Sequence, residues 1–451
     1  YKKIEKILDE IEVISMQENY EFIDAKVKET IVDDNKVDFI FFIKESEKFY
    51  VERINIFGNN ITQEEFIRNQ LIVDEGDPFN VLLHNKSINK LKSKGIFGST
   101  TSNIREGSED GQKIVDITVT EKATGELSAG AGYGTSGATT SFGIKENNFN
   151  GKGINLSTNL SLTEESIRGI FSYTHPNFAY TDRSLTTSIE STVTDKERDY
   201  GYKSTLNSIS LGTGYEQYKD LYFFPSLSIA GESLTTTASA SADYKKQEGS
   251  YFDALFNYRI TYDKRNSSYQ PTDGFRSSFV QNLPVLSDNP NILNGYDITA
   301  YKEIIDDMVF SAGFYSRAIN TLGDKDVRVS KRLFIPKSKL HGFEPGKVGP
   351  KDGADYVGGN YVTTFNTSTT VPYLLQTLEN IDLKVFFDAA NIWGVDYSSS
   401  IDDGSEIRSA FGAAVEVLTP VGPLSFSLSQ PITKASGDIT ETFRFQLGTT
   451  F

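Results

Sequence analysis

After Gly125 the helical period disappears from this chain and a period of two replaces it. In "FDALFNYRITYD", Phe252, Ala254, Phe256, Tyr258, Ile260 and Tyr262 fall on one face, while Asp253, Asn257, Arg259, Thr261 and Asp263 share the other with Leu255. "LSTNLSL" and "SLTTSIESTV" alternate in the same way, with Leu156, Leu160, Leu162 and Leu185, Ile189, Val193 on their apolar sides. Such alternation is a β-strand with one apolar face. A soluble sandwich alternates too, but three features tilt against it. The β region is long and uninterrupted, aromatics crowd at strand ends as in "DLYFFP", and charged residues occupy the faces opposite the apolar ones. A transmembrane barrel accommodates all three: lipid outside, water inside, and no free edge once the sheet closes. At about 10 residues per strand plus turns, segment 123–451 is expected to form an antiparallel barrel of about 16 strands.

Composition narrows the function. The chain carries 31 Phe and 23 Tyr against one Trp and two Met. No stretch approaches the ~20 consecutive apolar residues of a spanning helix. A formal net charge of −16 argues against nucleic acid, which calls for a basic face, and there is no basic run to hold anionic lipid. Without cysteine there are no disulfides, no thiolate nucleophile and no Cys-ligated zinc. The three histidines, His84, His175 and His341, are too dispersed to suggest a metal site, and no cofactor is expected. His84 reads as lying on a polar helix face and His175 at a strand end before a proline, and the carboxylates are scattered over water-facing positions and turns. No catalytic constellation emerges, so the chain does not read as an enzyme.

Residues 1–122 follow another pattern, as expected for 451 residues, too many for one core. In "YKKIEKILDEIEVI", Ile4, Ile7, Leu8 and Ile11 have helical spacing. "IDAKVKETIVDDNKVDFIFFI" reads as a hairpin around Asp33-Asp34. From Val51 the order is strand "VERINIF", a turn at Gly58-Asn59-Asn60, and a helix "TQEEFIRNQL" with Thr62 and Glu65 at capping-box spacing. A second helix runs from Phe79 to Ser93, stopped by Gly95. Strands Ser99–Arg105 and Lys113–Thr120 close the unit. Thus 48–122 reads as a complete β-α-α-β-β domain and 1–47 as the back half of another, since "NKVDFIFFIKESE" and "QKIVDITVTEKAT" occupy the same place in each. The chain is expected to begin mid-repeat, as a fragment of a longer protein.

Two strands matter for closure. "SAGAGYGTSG", with Gly130, Gly132 and Gly134, superficially suggests a nucleotide loop. A phosphate-cradling loop must open a helix, however, and a strand follows here. As strand one of a barrel, these glycines either weaken pairing, having no side chain to pack, or ease tight curvature. At the other end, "FRFQLGTTF" places Phe443, Phe445, Leu447 and Phe451 on one face and Arg444, Gln446 and Gly448 on the other. Closure pairs this strand with strand one and leaves Phe451 at the membrane interface, where an aromatic ring is favoured.

Several stretches carry a family resemblance. "SKLHGFEPGKVGPKDGADYVGGN" resembles the inward-folded loop of the BamA family of outer-membrane β-barrel assembly proteins. Where the family has Arg-Gly-Phe/Tyr this chain has His341-Gly342-Phe343, followed by Gly349-Pro350 and Gly358-Gly359-Asn360. "VFFDAANIW" resembles the strand whose aspartate faces that loop, here Asp388. "TPVGPLSFSLSQPI" is similar to the penultimate strand, and "YDKRNSSYQPTDGFRSSF" to an Asp-x-Arg…Pro-Thr-x-Gly hairpin. The amino-terminal units resemble polypeptide-transport-associated (POTRA) domains, with "INIFGNNIT" as first-strand signature.

The resemblance implies a chain that folds and inserts β-barrel proteins into the outer membrane of a Gram-negative-type bacterium, its POTRA domains in the periplasm. Its implied partners are unfolded β-barrel clients, the lipid bilayer and accessory outer-membrane lipoproteins. The lipoproteins would dock on the POTRA unit next to the barrel, where Arg68 and Glu75 are either contacts or solvated charges. Strand one, about Glu126–Tyr133, would part from Thr442–Phe451 and template a client strand by β-augmentation. The family's loop arginine is replaced by His341. A histidine facing Asp388 would hold it more weakly and with a pH dependence than a permanently charged fork. Either Lys337 or Lys339 substitutes for it, or Gly342-Phe343 alone seats the loop by packing. The alternative functions are a secretion or diffusion pore, a TamA-type relative serving autotransporters, and a passive anchor.

Overall fold

The computed structural model describes residues 7, 11, 14, 23–33, 36–45, 49–135, 137–268, 270–305, 308–371, 381–419 and 422–447. Of the sequence expectations, Ile4, Leu8, Asp34, Gly448 and Phe451 lie outside the described residues. Ile7 and Ile11 are helical. The chain divides into two compact units, one of residues 1–125 with 146–155, the other of 126–145 with 156–451.

In the first unit, β1 (Ile23–Asp33) and β2 (Lys36–Glu45) form an antiparallel hairpin. Then come β3 (Tyr50–Phe57), α1 (Glu64–Arg68), α2 (Val81–Ser93), β4 (Phe97–Glu106) and β5 (Gln112–Glu121), the β-α-α-β-β order read from the sequence. The sheet order is β3-β5-β4, with β3 parallel to β5 and β4 antiparallel to it. A parallel pair needs a crossover, and the two helices supply it. Val51, Ile54, Ile67, Leu91, Ile117 and Val119 are buried together between helices and sheet.

Two sequence expectations fail here, both through tertiary contacts. The capping box does not form: Gln63 is the N-cap residue, without a side-chain cap bond. The backbone N–H groups of Asn60, Ile61 and Thr62 instead donate to the Glu121 carboxylate at the end of β5. The Thr62 hydroxyl accepts from Asn148 Nδ2 at 2.9 Å. Nor does His84 lie on a polar face. It is buried, with Nε2 2.7 Å from Ser102 Oγ on β4 and its ring beside Phe79. A hydroxyl on the facing strand satisfies the imidazole, so the polar residue enters the packed side of α2.

The second unit is the barrel. Its strands are β6 (Gly125–Gly134), β7 (Gly137–Phe149), β8 (Ile154–Thr163), β9 (Ser166–His175), β10 (Ser184–Lys196), β11 (Tyr202–Tyr218), β12 (Leu221–Thr236) and β13 (Gly249–Asp263). They continue with β14 (Asp273–Ser287), β15 (Asn291–Ile305), β16 (Met308–Thr321), two short strands β17 (Lys351–Asp352) and β18 (Asp355–Tyr356), then β19 (Tyr361–Thr370). The last are β20 (Ile381–Trp393), β21 (Arg408–Thr419), β22 (Gly422–Thr433) and β23 (Phe443–Leu447). Sixteen of them, β6–β16 and β19–β23, close in sequence order into one antiparallel barrel, while β17 and β18 form a small hairpin of their own.

The alternation resolves into an outside and an inside. Val385 and Phe387 of β20 are exposed, whereas Phe386, Asp388, Ala390 and Ile392 are buried. Ile209 and Leu211 on β11, Leu227 and Ile229 on β12, Phe411 on β21 and Leu428 on β22 join the exposed apolar surface. A surface of that extent in water would aggregate; against lipid it is the ordinary outer face of a spanning barrel.

Candidate functional site

The connection from β16 to β19 folds onto the inner barrel wall and is seated by Asp388. The His341 backbone N–H donates to Asp388 Oδ2 at 3.0 Å and its Nδ1 donates to the same oxygen at 2.6 Å. Asn366 of β19 donates from Nδ2 to Asp388 Oδ1 at 2.7 Å and to the Lys339 carbonyl at 2.7 Å. Loop and wall thus share a carboxylate that is itself buried, which satisfies its charge with several donors. Lys337 and Lys339 enter this network through their carbonyl oxygens.

Packing completes the seat. Phe343 is 1% exposed, among Leu340, Val348, Val362, Ala390, Ile392 and Ala410. Gly342 turns the chain with φ +82, and a Cβ there would lie 3.0 Å from that of Ala410. Both conformation and space therefore call for glycine. Gly349 donates its N–H to Asp438 Oδ1 at 3.1 Å, and the Pro350 carbonyl accepts from Val357 across the β17–β18 hairpin.

The same loop is bonded to the segment that leads into the last strand. Glu344 N–H donates to the Ile439 carbonyl, Ile439 N–H to Lys347, and Glu441 N–H to Gly342. Asp438 lies between the Gly349 N–H and the Arg408 guanidinium, whose Nε is 2.9 Å from it. Arg444 of β23 points inward to the Lys337 and Phe343 carbonyls at 2.9 and 2.6 Å.

Two further residues escaped the sequence reading. Arg328 is fully buried, paired with Asp253 and with Glu232 at 3.1 Å, above the Tyr251 ring. Arg332, also buried, pairs with Asp396 and donates from Nη1 to Asn360 Oδ1 at 3.0 Å. Asn360 is the end of the sequence motif, so Arg332 joins the front of this long connection to its back. In "VRVSKR" the sequence sets the two arginines four apart, the first flanked by Val327 and Val329, but carries no sign of their partners.

Closure is narrow. Among the described residues β23 meets β6 through two registered pairs, Gln446↔Gly134 and Leu447↔Tyr133, and a bond from Thr135 N–H to the Phe445 carbonyl. By contrast β10 and β11 register continuously from Ser184↔Gly214 to Lys196↔Tyr202. Gly134 has its own reason to be glycine, because a Cβ would lie 2.6 Å from the Phe445 carbonyl oxygen. Gly130 and Gly132 are half-buried and alternate with exposed Ala131 and Tyr133. Tyr133 and Phe445 have ring centroids 6.1 Å apart across the seam, and Phe443 stacks on Phe426 and Phe445. Leu127 on β6 is 85% exposed and Leu447 on β23 is exposed as well.

In the POTRA-like unit, Arg68 and Glu75 are partners. Arg68 Nη1 lies 3.3 Å from Glu75, its Nε bonds Glu64, and its Nη2 donates to the Ile54 carbonyl at 2.8 Å. Glu75 accepts from the Ile54 N–H at 2.9 Å. Together the two side chains cap both backbone groups of Ile54 on the open side of edge strand β3, a common way to blunt a sheet edge.

These elements match known proteins in the same order along the chain. Residues 148–451 match the Omp85 superfamily domain, and residues 49–122 match POTRA, a surface antigen variable number repeat. The chain belongs to the Omp85 superfamily. Outer membrane protein assembly factor BamA of Neisseria meningitidis is 24% identical over 92% of this Omp85 chain and 58% of its own length. The chain thus spans less than two thirds of that relative. Among solved structures, BamA from Haemophilus ducreyi lacking POTRA domains 1–3 superposes with a TM-score of 0.80 at 23% identity, over all of this chain and 94% of that one. CdiB from Acinetobacter baumannii shares the fold more distantly, with a TM-score of 0.56 at 10% identity over 94% of this chain and 78% of its own.

Proposed function

We propose that this chain folds β-barrel proteins into an outer membrane, using the strand edge released where β6 meets β23. The observation that carries the reading is the glycine-lined strand at the closure, where β6 meets β23 at Gln446↔Gly134 and Leu447↔Tyr133 and Gly134 lies against the Phe445 carbonyl. A half-made client in lipid has unpaired backbone groups, each costing several kcal/mol, on the order of a hydrogen bond in an apolar medium. An edge that opens on this barrel supplies those partners by strand addition. The client's own burial and hydrogen bonding then drive it onward, without a nucleotide. The role named in the BamA relative supports the reading.

Clients reach the seam from the periplasm, where the POTRA unit and accessory lipoproteins also belong in this account. Arg68 and Glu75 would present to such a lipoprotein as one fixed ion pair. A lumen occupied by the packed loop around Phe343 favours an insertase over an open conduit. The test is the folding rate of a denatured porin-type client added to liposomes with and without this chain inserted. Acceleration with low, erratic conductance is expected. Unchanged folding with large steady conductance would overturn the proposal in favour of a pore.

A further inference from the structure

Along β23, outward Phe443 and Leu447 alternate with inward Arg444 and Gln446. Each nitrogen of the Arg444 guanidinium donates to the lumen loop or to its anchor. Nη1 donates to Lys337 O at 2.9 Å, Nη2 to Phe343 O at 2.6 Å, and Nε to Glu441 at 2.8 Å. The two carbonyls flank the bend that carries His341, so one planar fork closes that bend from the side of the last strand. Only arginine offers several donors in a rigid fork with a permanent charge. Glu441 balances that charge, which a half-buried guanidinium requires.

Around the fork, the Glu344–Ile439, Ile439–Lys347 and Glu441–Gly342 backbone bonds run alongside. On its other side β23 is registered with β22 from Leu424↔Leu447 to Leu428↔Phe443. Thus β23 is held by β22 and by the loop, and it meets β6 at Gln446↔Gly134, Leu447↔Tyr133 and the Thr135–Phe445 bond.

We infer that Arg444 is a positioning residue that ties the last strand to the lumen loop, so that the seam opens by release of β6 while β23 stays with the loop. Its functional meaning rests on the proposed use of the seam. The seating of the loop and the order of β23 then form one cooperative event.

Hydrogen exchange read by mass spectrometry on the whole chain in lipid nanodiscs tests this without any client. In the unaltered protein, amides of 443–447 exchange more slowly than those of 126–133. Arg444→Gln is expected to speed exchange of both 443–447 and loop 339–349 by about tenfold or more, the weight of one charge-assisted hydrogen bond. The β10–β11 hairpin keeps its rate. Arg444→Lys, a point charge without the fork, falls between, and Glu441→Gln, which keeps both carbonyl bonds, stays near the unaltered protein. Exchange in Arg444→Gln that is unchanged at either segment, or that rises equally in the β10–β11 hairpin, overturns the inference. So does faster exchange at 443–447 than at 126–133 in the unaltered protein. A failure to accelerate client folding would overturn the proposed function and leave this result standing.

Discussion

At the scale of single residues, the loop seat combines a buried carboxylate with a buried ring. Phe343→Ala removes the ring from a site enclosed by wall and loop, and the expected loss is about 3–5 kcal/mol. It is read as a lower thermal midpoint in detergent, against an outward control, Phe411→Ala, that scarcely moves. Asp388→Asn replaces an acceptor by a donor that faces His341 or Asn366. The expected cost is about 1–3 kcal/mol, seen as faster exchange across 339–349. The motif residues themselves were legible through the family resemblance. Arg328, Arg332 and Arg444 were not, because alternation tells which face a side chain occupies and nothing of its partner. Asp253 lies 75 positions from Arg328, and Phe343 lies 101 from Arg444.

At the scale of elements, His84 and Glu121 make the POTRA unit sensitive to pH. Burial pushes the His84 imidazole below its ordinary value of 6.5. Its neutral form is therefore favoured in the fold, so its contribution is complete above pH 6.5 and is lost as pH falls below it. For Glu121, desolvation acts upward, but the N–H groups of Thr62, Ile61 and Asn60 outweigh it and hold the carboxyl below 4.5. Its contribution is complete above that pH and disappears as pH drops further. Exchange of segment 79–106 should accelerate on acidification, starting below 6.5, and His84→Gln should flatten that first step. The same elements show where local patterns fall short. Thr62 and Glu65 have capping spacing, yet Glu121, which sequence distance hides, takes the Thr62 N–H that the Glu65 side chain would have accepted in the box. At the seam, Gly134→Val sets a branched side chain against the Phe445 carbonyl and should loosen the pairing. A lower disulfide yield between cysteines replacing Tyr133 and Leu447 would report it.

At the scale of the whole molecule, the barrel was the most legible feature, because a period of two is written locally in every strand and closure follows from the need to leave no edge in lipid. What the period could not convey is what surrounds the joint. There β6 is glycine-lined, with Gly134 against the Phe445 carbonyl, and the segment leading into β23 is bonded to the lumen loop. Function placed at that joint can be tested directly, because the chain contains no cysteine. Tyr133 and Leu447 stand opposite each other, so replacing both by cysteine locks the seam on oxidation. The measurement is the folding rate of a denatured porin-type client in liposomes carrying the locked, the reduced and the unaltered chain. Acceleration is expected from the unaltered and reduced forms and none from the locked form. A locked barrel that accelerates folding as well as the reduced one would contradict it.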